Sequence, residues 1–314
     1  MGPRPQLSMT LRSFSADDPG DWSALLTQAQ ALDLAGVDRL VVPDHVVFGE
    51  RLDAYGRPEI GGQAGGRQPT GPDGHWLEPL TTLSVIAGRT NRIRLGTSIL
   101  LAALRRPVVL AKTAATLDVL SGGRLDLGVG VGWQREEYEA AGLDFDRRGQ
   151  LLDHSLDVCQ TLWREARSDY SSDELQFEAI HMMPKPRRAG GVPIWVSGTV
   201  HPRVVRRIAR FGSGWIPWGT AAADVAAGIR EMSEALAAID HDPTGLQVVG
   251  NLAAARDPDG TLDVARTMAP VPALVEAGVT DVRAAIPLPD DHAAALDLLH
   301  AVVDSFRTAT TGTE

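Results

Sequence analysis

The sequence predicts an α/β protein, a single (β/α)₈ TIM barrel over residues 1–314, and three observations carry that expectation. Short apolar segments alternate with longer segments of helical periodicity, the pattern of a parallel sheet with crossover helices. The strand-like segments number eight, the count that closes such a barrel. A chain of 314 residues is long for one core, but barrels reach this length as one domain.

In order, the expected strands are Leu7–Leu11, Arg39–Val42, Ile93–Ile99, Leu125–Val129, Ile194–Val196, Gly214–Ile216, Gln247–Leu252 and Asp281–Ile286. Between them the helices have readable ends. Asp21 is placed to cap a helix that runs to Ala35 and stops at Gly36. Glu78-Pro79 opens another with proline at its first position, and Pro107 and Pro202 begin two more. Glu276-Ala277-Gly278-Val279 repeats the grammar of Leu34-Ala35-Gly36-Val37: helix end, glycine stop, strand entry.

Two stretches break the rhythm. Residues 43–77 follow the second strand and hold Gly61, Gly62, Gly65, Gly66, Gly71 and Gly74 with Pro69 and Pro72, which suits a long mobile lid or substrate loop. Residues 165–192 form an excursion before the fifth strand, where Tyr170, Leu175 and Phe177 suggest a hairpin. The last eight or so residues are polar and are expected to fray.

Composition narrows the function. With 44% hydrophobic and 22% charged residues, the chain has ample apolar surface for a core. A formal charge of −10 repels both a phosphate backbone and an anionic bilayer, so the expected partner is a small-molecule substrate, with no nucleic acid and no membrane. No run of about 18 apolar residues occurs. The segment from Met1 to Gln6 lacks the apolar core of a secretory signal, so a cytoplasmic location is expected. The lone Cys159 lies in a helical stretch and reads as a small core residue.

Barrels bind ligands where their strands end, so the residues just after each strand are the informative ones. Val42-Pro43-Asp44-His45 follows the second strand. It reads either as a cap aspartate beside a structural histidine, or as His45 facing a cavity as proton donor or acceptor with Asp44 orienting it. In Gly96-Thr97-Ser98-Ile99 the small hydroxyl residues permit close approach of a planar ring, although Thr97 is also an ordinary β-former. Gly128-Val129-Gly130-Val131-Gly132-Trp133 has the wrong glycine spacing for a dinucleotide loop. The reading preferred is a backbone passing beneath a flat ligand, with Trp133 as an apolar wall. Ser197-Gly198-Thr199 precedes a helix near Pro202 and forms either a phosphate site or a simple cap; Arg203, Arg206 and Arg207 add positive charge or form a solvated face. Trp133, Trp195, Trp215 and Trp218 fall near strand ends and together suggest a cavity lined with broad rings, with Trp133, Trp215 and Trp218 as the candidate substrate contacts.

These residues carry a family likeness. The chain resembles the luciferase-like monooxygenase and oxidoreductase family, and especially its coenzyme F420-dependent branch. The dense stretch runs from Glu78 to Trp218 and includes Arg92-Ile93-Arg94-Leu95-Gly96-Thr97, Arg106-Pro107-Val108-Val109-Leu110-Ala111-Lys112 and Leu117-Asp118-Val119-Leu120-Ser121-Gly122-Gly123-Arg124-Leu125. The Leu-Ser-Gly-Gly-Arg phrase ahead of the glycine-rich strand is its most specific part. The resemblance implies a dimeric barrel that carries F420 or FMN. It assigns proton transfer to His45, a non-prolyl cis bulge under the central ring to Ser98 and Ile99, and the cofactor phosphate to Ser197, Gly198 and Thr199. Asp44, Thr97, Gly130, Val131 and Gly132 complete the expected cofactor site. Sugar-phosphate dehydrogenases of this branch have a tryptophan four residues beyond the histidine and a glutamate after the glycine-rich strand. Here those places hold Gly49 and Trp133, so the likeness does not extend to that substrate class. Gly212-Ser213-Gly214-Trp215 also has serine where aspartate is common.

The leading expectation is hydride transfer between F420 and a small organic substrate; the alternative is an FMNH₂-dependent monooxygenase. A non-catalytic flavin-binding barrel is the rival of another class. The scattered histidines offer no metal site, and no Gly-x-Ser-x-Gly elbow marks a serine hydrolase.

Overall fold

The computed structural model describes residues 4–60 and 62–311. Eight parallel strands close into a barrel: β1 (Gln6–Thr10), β2 (Arg39–Val42), β3 (Arg94–Thr97), β4 (Leu125–Val129), β5 (Ile194–Gly198), β6 (Gly212–Pro217), β7 (Gln247–Leu252) and β8 (Asp281–Ala284). Each strand pairs with its neighbours in sequence, and β1 closes the ring against β8 with Gln6 opposite Asp281 and Met9 opposite Ala284. The main crossover helices are α1 (Ser23–Ala35), α2 (Pro79–Ala87), α3 (Pro107–Leu120), α4 (Arg148–Arg164), α5 (Pro202–Phe211), α6 (Val225–Ala237), α7 (Val271–Glu276) and α8 (His292–Thr311). All eight strands stand where the alternation placed them. No helix among the described residues is long and apolar enough to cross a membrane.

The boundaries differ in instructive ways. β3 ends at Thr97 rather than Ile99; the Ser98–Ile99 peptide that follows is cis, and Ser98 N still donates to the Val42 carbonyl at 2.9 Å. Glu78 caps α2 as expected, accepting from Thr81 N at 2.7 Å. Trp22, not Asp21, is the cap residue of α1, and the Asp21 carboxylate instead accepts from Ser23 N at 2.8 Å. The excursion does contain a hairpin, Ser168–Ser171 against Gln176–Ile180. The expected fraying is confined by α8, which runs to Thr311 and buries Phe306 fully; residues 312–314 lie outside the described residues. Cys159 is buried in the core, and that burial pushes its thiol pKa up, as a packing residue requires.

The main apolar core fills the space between barrel and helices, but the barrel interior is different. Strand alternation sends Arg39, Arg94, Asp126, Ser8, Asp281 and Arg283 inward, where a barrel ordinarily holds branched aliphatics. Asp126 accepts from Arg39 Nε at 3.0 Å and from Arg94 Nε and Nη2, both at 2.6 Å. Asp281 pairs with Arg39 and takes the Ser8 hydroxyl at 2.5 Å. Burial raises the Asp126 pKa, but Arg39 and Arg94 outweigh it and hold the carboxyl below its usual range. The Arg39 guanidinium also lies 4.5 Å from the Trp195 ring centroid.

Removing one partner of a buried pair leaves an uncompensated charge. Asp126→Asn is therefore expected to lower unfolding free energy by about 3–5 kcal/mol in urea titration. A loss under about 1 kcal/mol would mean that Arg39 and Arg94 find water or other acceptors instead.

Candidate active site at the barrel mouth

The charged interior leads directly to the mouth. Arg283 donates from Nε to Ser8 Oγ at 3.2 Å and from Nη1 to Ser98 Oγ at 2.9 Å, so the network ends on the first residue of the cis bulge. Burial, aided by repulsion from Arg39, pushes the Arg283 pKa down to about 9. Ile99, the second residue of the bulge, packs on an inner cluster of Trp195, Ile216 and Val249 and floors the mouth. Two residues beyond Val249, on the inward face of β7, Asn251 is exposed.

His45 lies at the same end of the barrel, three residues beyond the end of β2. Its Nδ1 lies 3.2 Å from Glu137 Oε2, and Glu137 Oε1 accepts from Val46 N at 2.8 Å. The His45 side chain is 11% exposed and that of Glu137 is 0% exposed. Aromatic rings surround the imidazole: Phe48 at 4.4 Å, Trp76 edge-on at 4.9 Å and Trp133 edge-on at 5.8 Å between centroids. Phe14 stacks on Trp76 at 4.2 Å.

Asp44 does not orient His45. Its fully buried carboxylate accepts from Leu101 N at 2.8 Å and from Arg105 at 2.6 and 3.1 Å. This pairing ties the start of the 43–77 segment to the loop after β3 and leaves Asp44 no surface for a cofactor. Thr97 is likewise committed, donating from Oγ1 to the Gly128 carbonyl at 2.8 Å.

The glycines at the end of β4 and just beyond it turn their Cβ sides to protein. A Cβ on Gly128 would lie 2.0 Å from the Thr97 carbonyl oxygen, one on Gly130 2.9 Å from Ile99, and one on Gly132 2.7 Å from Leu101. These glycines let β4 and its exit accept the bulge of β3 at close range. Val131 is half-buried, and its carbonyl accepts from the buried Tyr138 hydroxyl at 2.8 Å. That bond fixes the loop carrying Trp133.

Across the mouth, β5 ends in Ser197-Gly198-Thr199. Gly198 has φ +154° and its Cβ position is 2.7 Å from Val204, so the turn requires glycine. The cap of α5 is His201, whose side chain accepts from Arg203 N at 3.2 Å. The Ser197 and Thr199 hydroxyls therefore stay without a protein partner among the described residues. Arg207 does not face this turn, since it is buried against Asp153 and the Gly149 carbonyl.

Trp215 is not a cavity wall. β6 alternation turns it outward, where it is fully buried and donates from Nε1 to the Gly198 carbonyl at 2.9 Å; Ile216 takes the inward place. Trp218 donates from Nε1 to the Gly62 carbonyl at 3.2 Å and so links the end of β6 to the long loop. That loop is anchored rather than free, through Gln134 to Gly49 and Arg51 to Glu136 at 2.6 Å. Among the described residues no group of three or more His, Cys, Asp or Glu is placed to hold a metal ion.

A family model described as luciferase-like monooxygenase matches residues 7–268. The chain belongs to the luciferase-like monooxygenase family. Members of this family are oxidoreductases and monooxygenases, F420-dependent enzymes among them. The chain is 34% identical over 148 residues to the F420-dependent glucose-6-phosphate dehydrogenase of Mycobacterium leprae, covering 46% of this chain and 43% of that one. An F420-dependent secondary alcohol dehydrogenase, solved with an F420–acetone adduct, shares the fold with a TM-score of 0.73 at 17% identity, covering 97% of this chain and 100% of the other. A type II Baeyer–Villiger monooxygenase from Pseudomonas putida, solved with FMN, does so at 0.71 and 14% identity, covering 97% and 98%. The chain spans about half the length of the curated relatives it matches.

Within this luciferase-like barrel, sequence reasoning missed Glu137, Arg105, Phe14, Phe48 and Trp76. It also missed an open cavity of about 660 Å³ beside the mouth, between the ends of β1 and β8, lined by Thr10, Leu11, Phe14, Trp22 and Leu288 among others. Phe14 is common to this cavity and to the aromatic wall around His45. Because Arg105 is the charge partner of a fully buried Asp44, Arg105→Met is expected to cost about 3–5 kcal/mol. Limited proteolysis should then cut within 46–69 faster than in the wild type; an unchanged cleavage rate would assign the anchoring of that loop to other contacts.

Proposed function

We propose that this protein is an F420-dependent oxidoreductase that moves a hydride between the deazaflavin and a small organic substrate. The observation that carries the reading is one juxtaposition. An imidazole with an accessible nitrogen stands at the mouth of the barrel, the floor of that mouth is an apolar residue on a cis bulge, and a turn with spare donors faces it.

The residues present fit such a cofactor. A flat ring needs an apolar floor, which Ile99 supplies, with the exposed Asn251 at the same end of the barrel. A phosphate needs donors not already spent, and the Ser197 and Thr199 hydroxyls ahead of α5 meet that need. Gly130, Val131 and Gly132 would border the ring through their backbone. When bound, F420 supplies two-electron hydride chemistry. His45 exchanges the accompanying substrate proton at Nε2, and the Phe48, Trp76 and Trp133 rings pack around the imidazole and hold it in place.

The cavity supports a neutral substrate over a sugar phosphate. Arg12 is the one basic residue among its lining, and Asp21 and Asp290 lie in the same lining. An alcohol or ketone with an apolar body suits such a chamber.

Parallel titrations with F420 and with FMN test the reading. Tighter binding of F420, with turnover of a secondary alcohol that falls by roughly 10² to 10⁴ in His45→Ala, is the expected result. Preferential binding of FMN would favour the oxygenase alternative. Undiminished turnover in His45→Ala would remove the histidine from the chemistry.

A further inference from the structure

We infer that Glu137 is the positioning residue that sets the tautomer of His45, so that neutral His45 carries its proton on Nδ1 and presents the Nε2 lone pair to the mouth. This rests on the proposed role of His45, but the geometry behind it is independent of any cofactor.

The two oxygens of Glu137 are each used once. Oε1 accepts from the Val46 amide at 2.8 Å, and Oε2 faces His45 Nδ1 at 3.2 Å. The carboxylate is fully buried. An ionised carboxylate has no proton to give, so Nδ1 must be the donor in that contact. Nε2 has no protein partner among the described residues, and it is absent from the buried polar atoms that lack one, so it is the nitrogen solvent and substrate reach. Phe48, Trp76 and Trp133 hold the ring from its other sides and bring no competing charge. A second nitrogen fixed by its partner is how a protein chooses which end of a histidine does chemistry.

The Val46 amide makes the inference sharply testable. A backbone N–H can only donate, so it demands an oxygen at the Oε1 position. In Glu137→Gln the single amide oxygen must go there, which turns the NH₂ group toward His45 Nδ1. Nδ1 then has to accept, and the ring proton moves to Nε2. An isosteric change of one atom thus inverts the tautomer without adding volume or opening a cavity.

The experiment is ¹⁵N NMR of histidine-labelled protein without cofactor, at a pH where His45 is neutral, with His45→Ala used to assign its signals. The wild type should show a protonated Nδ1 and an unprotonated Nε2, and Glu137→Gln should show the reverse. Turnover of Glu137→Gln should fall by roughly 10² to 10⁴ in kcat with little change in KM, since the substrate-facing nitrogen can no longer accept a proton. A wild-type His45 already protonated on Nε2 would overturn the inference, and that measurement stands even if the variant does not fold. A Glu137→Gln protein that keeps the Nδ1 proton would also overturn it. An inverted tautomer with undiminished turnover would uphold Glu137 as the positioning residue while rejecting His45 as the proton-transfer group.

Discussion

The buried ion network inside the barrel is the constraint on which the rest of the structure depends. Arg39, Asp126, Asp281, Ser8 and Arg283 come from four strands, β1, β2, β4 and β8, and they meet only if the ring closes in a single register. A shift of one residue would turn each of these side chains outward into the apolar layer beneath the helices, where no partner waits. The charges stabilise the fold little in net terms, because their desolvation offsets much of their attraction. They specify which closure is allowed, and through Arg283 they carry that specification up to Ser98.

The mouth inherits its shape from this arrangement. Arg283 holds the bulge, the bulge presents Ile99 as floor, and the glycines after β4 yield the space that the bulge requires. Trp215 works from outside the barrel, gripping the Gly198 carbonyl and so fixing the turn opposite His45. Asp44 and Arg105 pin the segment that carries His45, while Glu137 holds the ring itself. Most of these groups are spent on other protein groups, and among the described residues at this end of the barrel His45 Nε2, the hydroxyls of Ser197 and Thr199 and the buried Trp195 Nε1 are left without a protein partner.

The strands were legible because fully buried parallel strands read as short, largely apolar runs bounded by breakers, as Leu125–Val129 does between Gly123 and Gly130. The early end of β3 was not, since Ser98 and Ile99 both suit a strand and composition alone does not mark a cis bond. His45 was readable from its place after β2. Glu137 was hidden because Glu136-Glu137 opens a short helix, where acidic residues usually face solvent. Trp76 lay inside a glycine-rich stretch with no periodicity. Trp215 was misplaced because a strand buried on both faces offers no polar alternation to tell inward from outward. One signal was present and unused: Arg39, Asp126, Asp281 and Arg283 are charged residues within otherwise apolar strands, which is where paired interior charges belong.

The barrel is a cup with a charged stem, an apolar floor and two unequal walls, one aromatic around His45, the other carrying the Ser197 and Thr199 hydroxyls. The most direct measurement is a crystal structure of the protein soaked with F420. The ring is expected over Ile99 with its reactive edge toward His45 and its phosphate against Ser197 and Thr199. A ring lodged instead among Leu11, Trp22 and Leu288, with the turn after β5 bare, would contradict this placement of the cofactor.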